Sequence, residues 1–429
     1  MTDKTSRRAW MAGVGGASAA AAFGTPLLLN GAQDAPSQKI TIGVMGLNRG
    51  LALAKTFGNT AGVTVKYVAE TDSERAAAGK DAIEKATKQT PTIVGDFRKI
   101  LDDPDVDAII VAAPNHWHAP ATILGCAAGK HVYVEKPCSH NPWEGETMIE
   151  AARKHKRIVQ MGNHRRSAAS FQNAIKLLRE GAIGRVYLSR SWYNNARGTI
   201  KTGMAVPVPA WLDYDLWQGP APRTAFYDNR IHYNWHWFWN WGNGELGNNG
   251  IHSIDISRWG MGVDYPVRVT SAGGRYAFKD DQETPDTNIV TFEFEGDRAI
   301  VWDGKSCNKH GGDAFVAFYG TEGSMEVTEK GAFKIFDAKD KLVKEEDGKW
   351  DLGDHISNFV NAIRANEPQL LNSEILEGHK STLLCHLGNI AYRMGRVMNC
   401  RPSDGHIIGD DKAMGMWKRT YEPGWEPKV

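Results

Sequence analysis

Two side chains stand where acid–base chemistry is possible. Lys136 lies in Glu135-Lys136-Pro137, directly after the short apolar run His131-Val-Tyr-Val134, and the proline restrains its backbone. An ammonium held there can donate hydrogen bonds to a substrate oxygen and stabilise developing alkoxide character. Burial would lower its pKa. His252 sits near the start of Ile251-His-Ser-Ile-Asp-Ile-Ser-Arg-Trp259, where Ile251, Ile254 and Trp259 recur at helical spacing, so the imidazole is expected in the first turn of a helix. The positive end of a helix disfavours a second positive charge, and a neutral imidazole can accept a proton from an alcohol. The plainer reading is a structural histidine, with Asn248 or Asn249 capping the helix.

Upstream of His252 the chain reads Tyr233-Asn-Trp-His-Trp-Phe-Trp-Asn-Trp241, followed by a run rich in Gly and Asn. Such rings fill a core, stack on the C–H faces of a carbohydrate, or fill an interface between subunits. Trp235 and Trp239 are the candidates for stacking. The Gly–Asn run lets backbone approach a ligand closely. His116 with His118, and His232 with His236, form pairs without a third ligand at useful spacing, so no metal is expected.

The elements that must position these residues are legible in the first half. Lys39–Met45 reads as a buried strand, Gly46-Leu-Asn-Arg-Gly50 as a tight turn, and Leu51–Phe57 as a helix. Strand, glycine-rich turn and helix in that order form the phosphate cradle of a Rossmann unit, with Gly46, Asn48, Arg49 and Gly50 in the turn. The match is imperfect, since Asn48 and Leu51 occupy the second and third glycine positions. A second strand, Val63–Ala69, ends in Glu70, about where an acid binds the adenosine ribose hydroxyls. An acid there favours NAD over NADP, and Asp72 competes for the role. A third strand, Val106–Ala113, ends in Pro114-Asn115-His116-Trp117-His118. The strand 131–134 ends in Glu135-Lys136, and Val159–Gly162 leads to His164 and Arg165. Polar residues at the carboxyl ends of parallel strands lie where such folds bind ligands. From Gly184 strand patterns dominate: 185–193, 267–272, 288–294, 299–302 and 314–319. A long irregular insert, 194–234, is of the kind that builds a site or an interface. Residues 354–398 read as helical.

The stretches AAPNHWHAPATILGCAAGKHVYVEKP (112–137), QMGNHRRS (160–167) and GNGELGNNGIHSIDISRW (242–259) resemble the Gfo/Idh/MocA family of glucose–fructose oxidoreductase and inositol dehydrogenase. The resemblance implies an N-terminal Rossmann dinucleotide-binding domain (36–162). It implies a C-terminal α/β domain (163–429) with a large open, mainly antiparallel sheet for substrate binding and oligomerisation. It implies that Lys136 lies near the nicotinamide and the reacting hydroxyl, and that His252, with Asp255 downstream, is the acid/base. Many relatives carry Asp where this chain has Asn248. NAD is the expected cofactor, a carbohydrate the expected substrate, and a dimer or tetramer through the open sheet the expected assembly. An NAD-dependent glycoside hydrolase or lyase using transient oxidation, and a noncatalytic sugar-binding protein, are the alternatives.

Bulk properties fit this reading. The 429 residues are 41% hydrophobic and 24% charged, with a net charge of +1, so no global field favours nucleic acid or an anionic membrane. Arg7-Arg8 precedes a weakly apolar stretch broken by glycines and Pro26, which reads as a twin-arginine export signal with its linker over residues 1–35. The five cysteines fit no zinc pattern. Folding in the cytoplasm before export would explain scattered thiols and would let the protein carry tightly held NAD with it.

Overall fold

The structure is a computed structural model that describes residues 39–429 apart from residue 313. The export signal read at residues 1–35 lies outside the described residues. The first sheet contains β1 (Ile40–Met45), β2 (Val63–Ala69), β3 (Thr92–Val94), β4 (Ala108–Val111), β5 (His131–Val134) and β6 (Val159–Met161), all parallel, in the order β3-β2-β1-β4-β5-β6. This is the Rossmann order, with the switch point between β1 and β4. The central strand β4 is buried at every residue because helices cover both faces. It is shorter than the expected 106–113. The edge strand β3 escaped sequence reading, since three residues with mostly exposed side chains carry no periodicity.

The helices of this half are α1 (Arg49–Gly58), α2 (Ser73–Thr87), α3 (Arg98–Leu101), α4 (Asn115–Ala127) and α5 (Pro142–Lys154). Gly46 adopts φ +84°, and a Cβ there would lie 2.7 Å from the Ala112 carbonyl oxygen, so only glycine fits the turn. Gly50, the second residue of α1, takes the close-packing role that the motif assigns to its third glycine. A Cβ at Gly50 would sit 3.1 Å from Val44 and 3.2 Å from Ala112.

The second half begins with α6 (Ala169–Arg179) and the long strand β7 (Val186–Ala196), followed by α7 (Tyr214–Gln218) in the irregular insert and α8 (Ile251–Met261). Then come β8 (Arg268–Gly274), β9 (Thr287–Phe294), β10 (Arg298–Lys305), β11 (Cys307–Asn308), β12 (Ala314–Gly320), β13 (Gly323–Thr328), β14 (Phe333–Asp337) and β15 (Leu342–Glu346). The chain ends with α9 (Leu352–Ala365), α10 (Ile375–Met394), β16 (Met398–Asn399) and α11 (Asp411–Met414). The large sheet runs β15-β14-β13-β12-β7-β10-β9-β8-β16, antiparallel except for the β7–β10 pair, with β11 hydrogen-bonded to β7. One face packs on α6, α8 and α10 through Phe171, Ile254, Phe292, Phe318 and Leu387.

After the division at residue 162 the chain returns to the first domain. Ile356, Phe359 and Val360 of α9 share a core with Ile42, Val44 and Phe57 of the first domain. Phe359 meets Tyr133 edge-on at 5.8 Å, and near the C-terminus Trp425 meets Trp117 edge-on at 5.4 Å. The apolar stripe of α9 was readable, but not which sheet it would cover.

Candidate active site

A cleft of about 1140 Å³, counting the part open to solvent, runs along the carboxyl ends of β1, β2, β4 and β5. Gly46, Asn48, Arg49, Glu70, Pro114, Asn115, His118, Glu135, Lys136, Trp235 and Asn248 all line it. Gly50 lies behind, in the helix–sheet contact described above.

The nucleotide end is built mainly by backbone. Asn48 caps α1 without a side-chain hydrogen bond, so amides at that helix end remain available to a phosphate. Glu70 accepts hydrogen bonds from the amides of Leu47 (2.8 Å) and Thr71 (2.9 Å). Burial raises its pKa, and the Leu47 amide opposes that shift. Asp72 instead caps α2, accepting from the Glu74 and Arg75 amides at 2.9 Å, and pairs with His232 at 2.9 Å. Of the two competing acids, Glu70 is therefore the one that faces the cleft. Arg49 pairs with Glu135 at 3.1 Å, and that carboxylate raises the arginine pKa. Burial lowers the pKa of His118, whose two ring nitrogens lie 2.6 Å from the Pro137 carbonyl oxygen and 2.7 Å from that of Ala113, tying β4 to β5.

The insert folds over this end. The Ser73 amide donates to the Trp211 carbonyl and the Asp213 amide to the Thr71 carbonyl, each at 2.9 Å. Leu216, Trp217, His232, Tyr233 and His236 line the cleft beside Phe97 and Trp117. Leu216, Trp217 and Phe97 were not singled out for the cleft, although the insert as a whole was marked as site-building and the aromatic run from Tyr233 as a stacking surface.

At the other end, the Lys136 ammonium donates to the Asn248 carbonyl (2.7 Å) and to its side-chain Oδ1 (3.1 Å). Burial lowers the pKa of Lys136, and the Glu135 charge opposes this. Asn248 belongs to a π-helical turn, Leu246–Gly250, that runs directly into α8. Such turns redirect side chains at functional sites. Neither asparagine caps α8 as expected, for the amides of Asn248 and Asn249 go to Glu245. His252 is the second residue of α8, as its spacing indicated. Burial holds its pKa well below the ordinary value, and the charges of Arg165 and Lys136 add to this.

His164 meets His252 edge-on at 5.5 Å and lies 4.2 Å from the ring of Trp350. Burial, then the Arg165 charge, lowers its pKa to about 2. Arg165 pairs with Glu329 at 2.8 Å, and burial lowers its pKa to about 10. The side-chain amide of Asn163, both ring nitrogens of His164 and Nη1 of Arg165 are buried without a hydrogen-bond partner. Asn163 and Trp350 were missed. A lone tryptophan in a loop carries no positional signal, and Asn163 is one residue from the candidates that were named.

His252, His164 and Arg165 do not line the cleft itself but form a group near Lys136, and Asp255 and Trp239 lie elsewhere. Asp255 is 1% exposed and receives three hydrogen bonds from Arg166 and one from Ser381, so it ties α8 to its neighbours rather than reaching a ligand. Trp239 faces a different cavity, where Arg393 lies over its ring at 5.0 Å. The aromatic run divides: Trp235, Trp237, Phe238 and Trp241 are buried within this one chain, most of them beside Tyr214, Trp217 and Phe226. That excludes these four rings from an intersubunit contact. Of the histidine pairs weighed in the sequence, His116 lies 2.9 Å from the Trp217 carbonyl oxygen and His236 2.6 Å from that of Tyr233.

The residues fit a dinucleotide. The turn admits only glycine where a pyrophosphate would approach, Glu70 sits at the end of β2, and Asn115 leaves a buried oxygen unpartnered in the cleft wall. Fold and cleft together define a two-domain nicotinamide-dependent oxidoreductase. A family model described as "Oxidoreductase family, NAD-binding Rossmann fold" matches residues 40–163. One described as "Oxidoreductase family, C-terminal alpha/beta domain" matches residues 188–426. The chain belongs to the Gfo/Idh/MocA oxidoreductase family.

Levoglucosan dehydrogenase of Pseudarthrobacter phenanthrenivorans is 29% identical over 284 residues, 61% of this chain and 64% of that protein. Myo-inositol 2-dehydrogenase of Thermotoga maritima is 25% identical over 290 residues, 66% of this chain and 74% of that protein. Among solved structures, levoglucosan dehydrogenase in complex with NADH and levoglucosan aligns with a TM-score of 0.65 at 19% identity, covering 84% of this chain and 99% of that one. Aldose-aldose oxidoreductase from Caulobacter crescentus complexed with glycerol aligns at 0.64 and 21% identity, with the same coverage. At these identities the structural likeness is one of fold.

Proposed function

We propose that this oxidoreductase acts on a secondary hydroxyl of a sugar, polyol or sugar derivative, with NAD held tightly in the cleft. The observation that carries the reading is the group of Asn163, His164 and Arg165, whose buried polar atoms lack protein partners, packed beside His252, while Lys136 lines the end of the cofactor cleft. Several donors and acceptors beside half-buried aromatic surface suit a polyhydroxylated ligand. Bound NAD supplies the acceptor for the hydride of the carbinol carbon. Neutral His252 takes the hydroxyl proton. Lys136 donates a hydrogen bond to the same oxygen as negative charge develops there, and Asn248 orients its ammonium. His164, Arg165 and Asn163 hold neighbouring hydroxyls.

Tight retention of NAD is supported by the insert crossing the nucleotide end, pinned at Thr71, Asp72 and Ser73. It also agrees with export through the twin-arginine route, which we propose from Arg7-Arg8. The test is to purify the mature protein without added nucleotide, identify what denaturation releases, and follow NADH absorbance with a panel of sugars, polyols and aryl glycosides. NAD release, with reduction by one sugar and reoxidation by another, is expected. Aglycone release without net NADH would replace this reading by redox-assisted glycoside cleavage. Absence of any reaction would favour the noncatalytic alternative.

A further inference from the structure

The loop that carries the aromatic run has two sides. Trp235 and His236 line the cofactor cleft, whereas Trp239, Asn240 and Gly242 line a second cavity of about 1040 Å³, counting the part open to solvent. This cavity is closed by the start of α5, the second half of α10 and residues 415–420. The mechanism above uses none of it.

Its walls are polar and incompletely paired. Arg419 Nη1 lies 3.1 Å from His140 Nδ1. A guanidinium only donates, so Nδ1 is the acceptor and the ring proton belongs on Nε2. That Nε2 is buried and has no partner. Asn243 is 5% exposed and donates through Nδ2 to the His140 carbonyl at 2.9 Å, which leaves Oδ1 buried and unpartnered. Arg393 and Arg419 form no ion pair among the described residues, and burial lowers the pKa of both. One carboxylate, Glu283, accepts from the Trp239 amide at 2.7 Å. Arg419 also donates to the carbonyls of Asn240 (2.9 Å) and Thr420 (3.3 Å), and the charges of Glu144 and Glu283 act on Arg419 and Arg393 from nearby. The wall therefore offers two guanidiniums outside any ion pair and an imidazole N–H beside an amide oxygen and a carboxylate that need donors.

We propose that this cavity is a second carbohydrate site, distinct from the catalytic cleft, that takes a sugar acid: a carboxylate carried on a polyhydroxylated ring or chain. The carboxylate meets Arg393, Arg419 and His140, since a planar guanidinium matches its two oxygens. The hydroxyls donate to Asn243 Oδ1 and Glu283. A bare inorganic anion satisfies only the first group and meets repulsion from Glu283, so hydroxylation is part of the specificity. The ring of Trp239 supports Arg393 from below, which is the role the structure gives this residue instead of stacking at the active site.

The test is calorimetric titration of the NAD-loaded protein with glucuronate, with methyl glucoside and inorganic phosphate as controls. Glucuronate is expected to bind the Lys136→Ala variant as tightly as the wild type, because the cavity lies outside the cleft. Arg393→Ala, at a residue whose side chain is partly open to solvent and should be replaceable without unfolding, is expected to weaken glucuronate by about tenfold or more while turnover of the cleft substrate is unchanged. Both controls should bind much more weakly. The proposal is overturned if glucuronate does not bind, if Arg393→Ala leaves its affinity unchanged, if Lys136→Ala abolishes binding, or if phosphate or methyl glucoside binds equally well. None of these outcomes bears on NADH formation, so the reading of the catalytic cleft stands or falls separately.

Discussion

The two ends of the cofactor cleft differ in how completely the protein satisfies its own polar groups. At the nucleotide end, Glu70 is occupied by amides of the turn, Asp72 by the first turn of α2 and by His232, and Arg49 by Glu135; Asn115 Oδ1 is the exception. Beyond the other end, past Lys136 and beside His252, Asn163, His164 and Arg165 all keep buried atoms without partners. An unpaired buried polar atom costs about 1–3 kcal/mol. Three consecutive residues, Asn163 to Arg165, thus carry such terms together beside His252. Backbone shape serves the dinucleotide end, whereas in the function proposed above the side chains beside His252 are the ones that meet substrate hydroxyls.

The largest test of this contrast is Lys136→Ala. It removes a hydrogen-bond donor from the reacting end and breaks no hydrogen bond at the nucleotide end. We expect kcat to fall by about 10²–10³-fold, with NAD content unchanged. Measuring released nucleotide beside single-turnover NADH formation checks both halves; loss of NAD with Lys136 would erase the distinction between the ends.

Gly46→Ala is the reciprocal experiment. The added methyl meets the Ala112 carbonyl in a backbone conformation that alanine adopts at a cost of about 1–3 kcal/mol. NAD content should drop and the denaturant midpoint should fall, with the loss of activity recovered in part by added NAD. A variant that binds NAD normally but turns over slowly would contradict a backbone-built nucleotide site.

The smallest effect, and the one that most sharpens the comparison, is Asn248→Asp. Burial lowers the pKa of Lys136, and no carboxylate occupies the position that accepts from its ammonium. A carboxylate there favours the charged ammonium and so raises the lysine pKa; it likewise favours the imidazolium of His252. Both limbs of the kcat profile should therefore move to higher pH, with little change in NAD content. An unmoved profile would mean that Asn248 orients Lys136 without electrostatic coupling to the reaction.

Much of the first domain was legible because each signal is local. A buried strand, a turn that needs positive φ and a following helix are contiguous, so Gly46, Glu70, Pro114, Asn115 and Glu135 could be placed by counting. Lys136 and His252 were legible for the same reason: one follows a strand end, the other opens a helix. The failures share the opposite cause. Asp255 sits in the same motif as His252, yet one helical turn later it points at Arg166. Trp235 and Trp239 differ by four residues and line different cavities, because the chain is not helical throughout the run and no period relates them.

What the sequence determined by itself is the set of local conformations and the chemistry carried at the end of each strand, since sterics and apolar periodicity act over a few residues. Tertiary structure alone decided which loops cover those ends. The insert closes over Asp72 and Thr71, α9 returns to the first sheet, and Trp350 reaches His164 across 186 positions of chain. Those contacts depend on how two sheets and their helices pack together, and no spacing between neighbours in sequence encodes that separation.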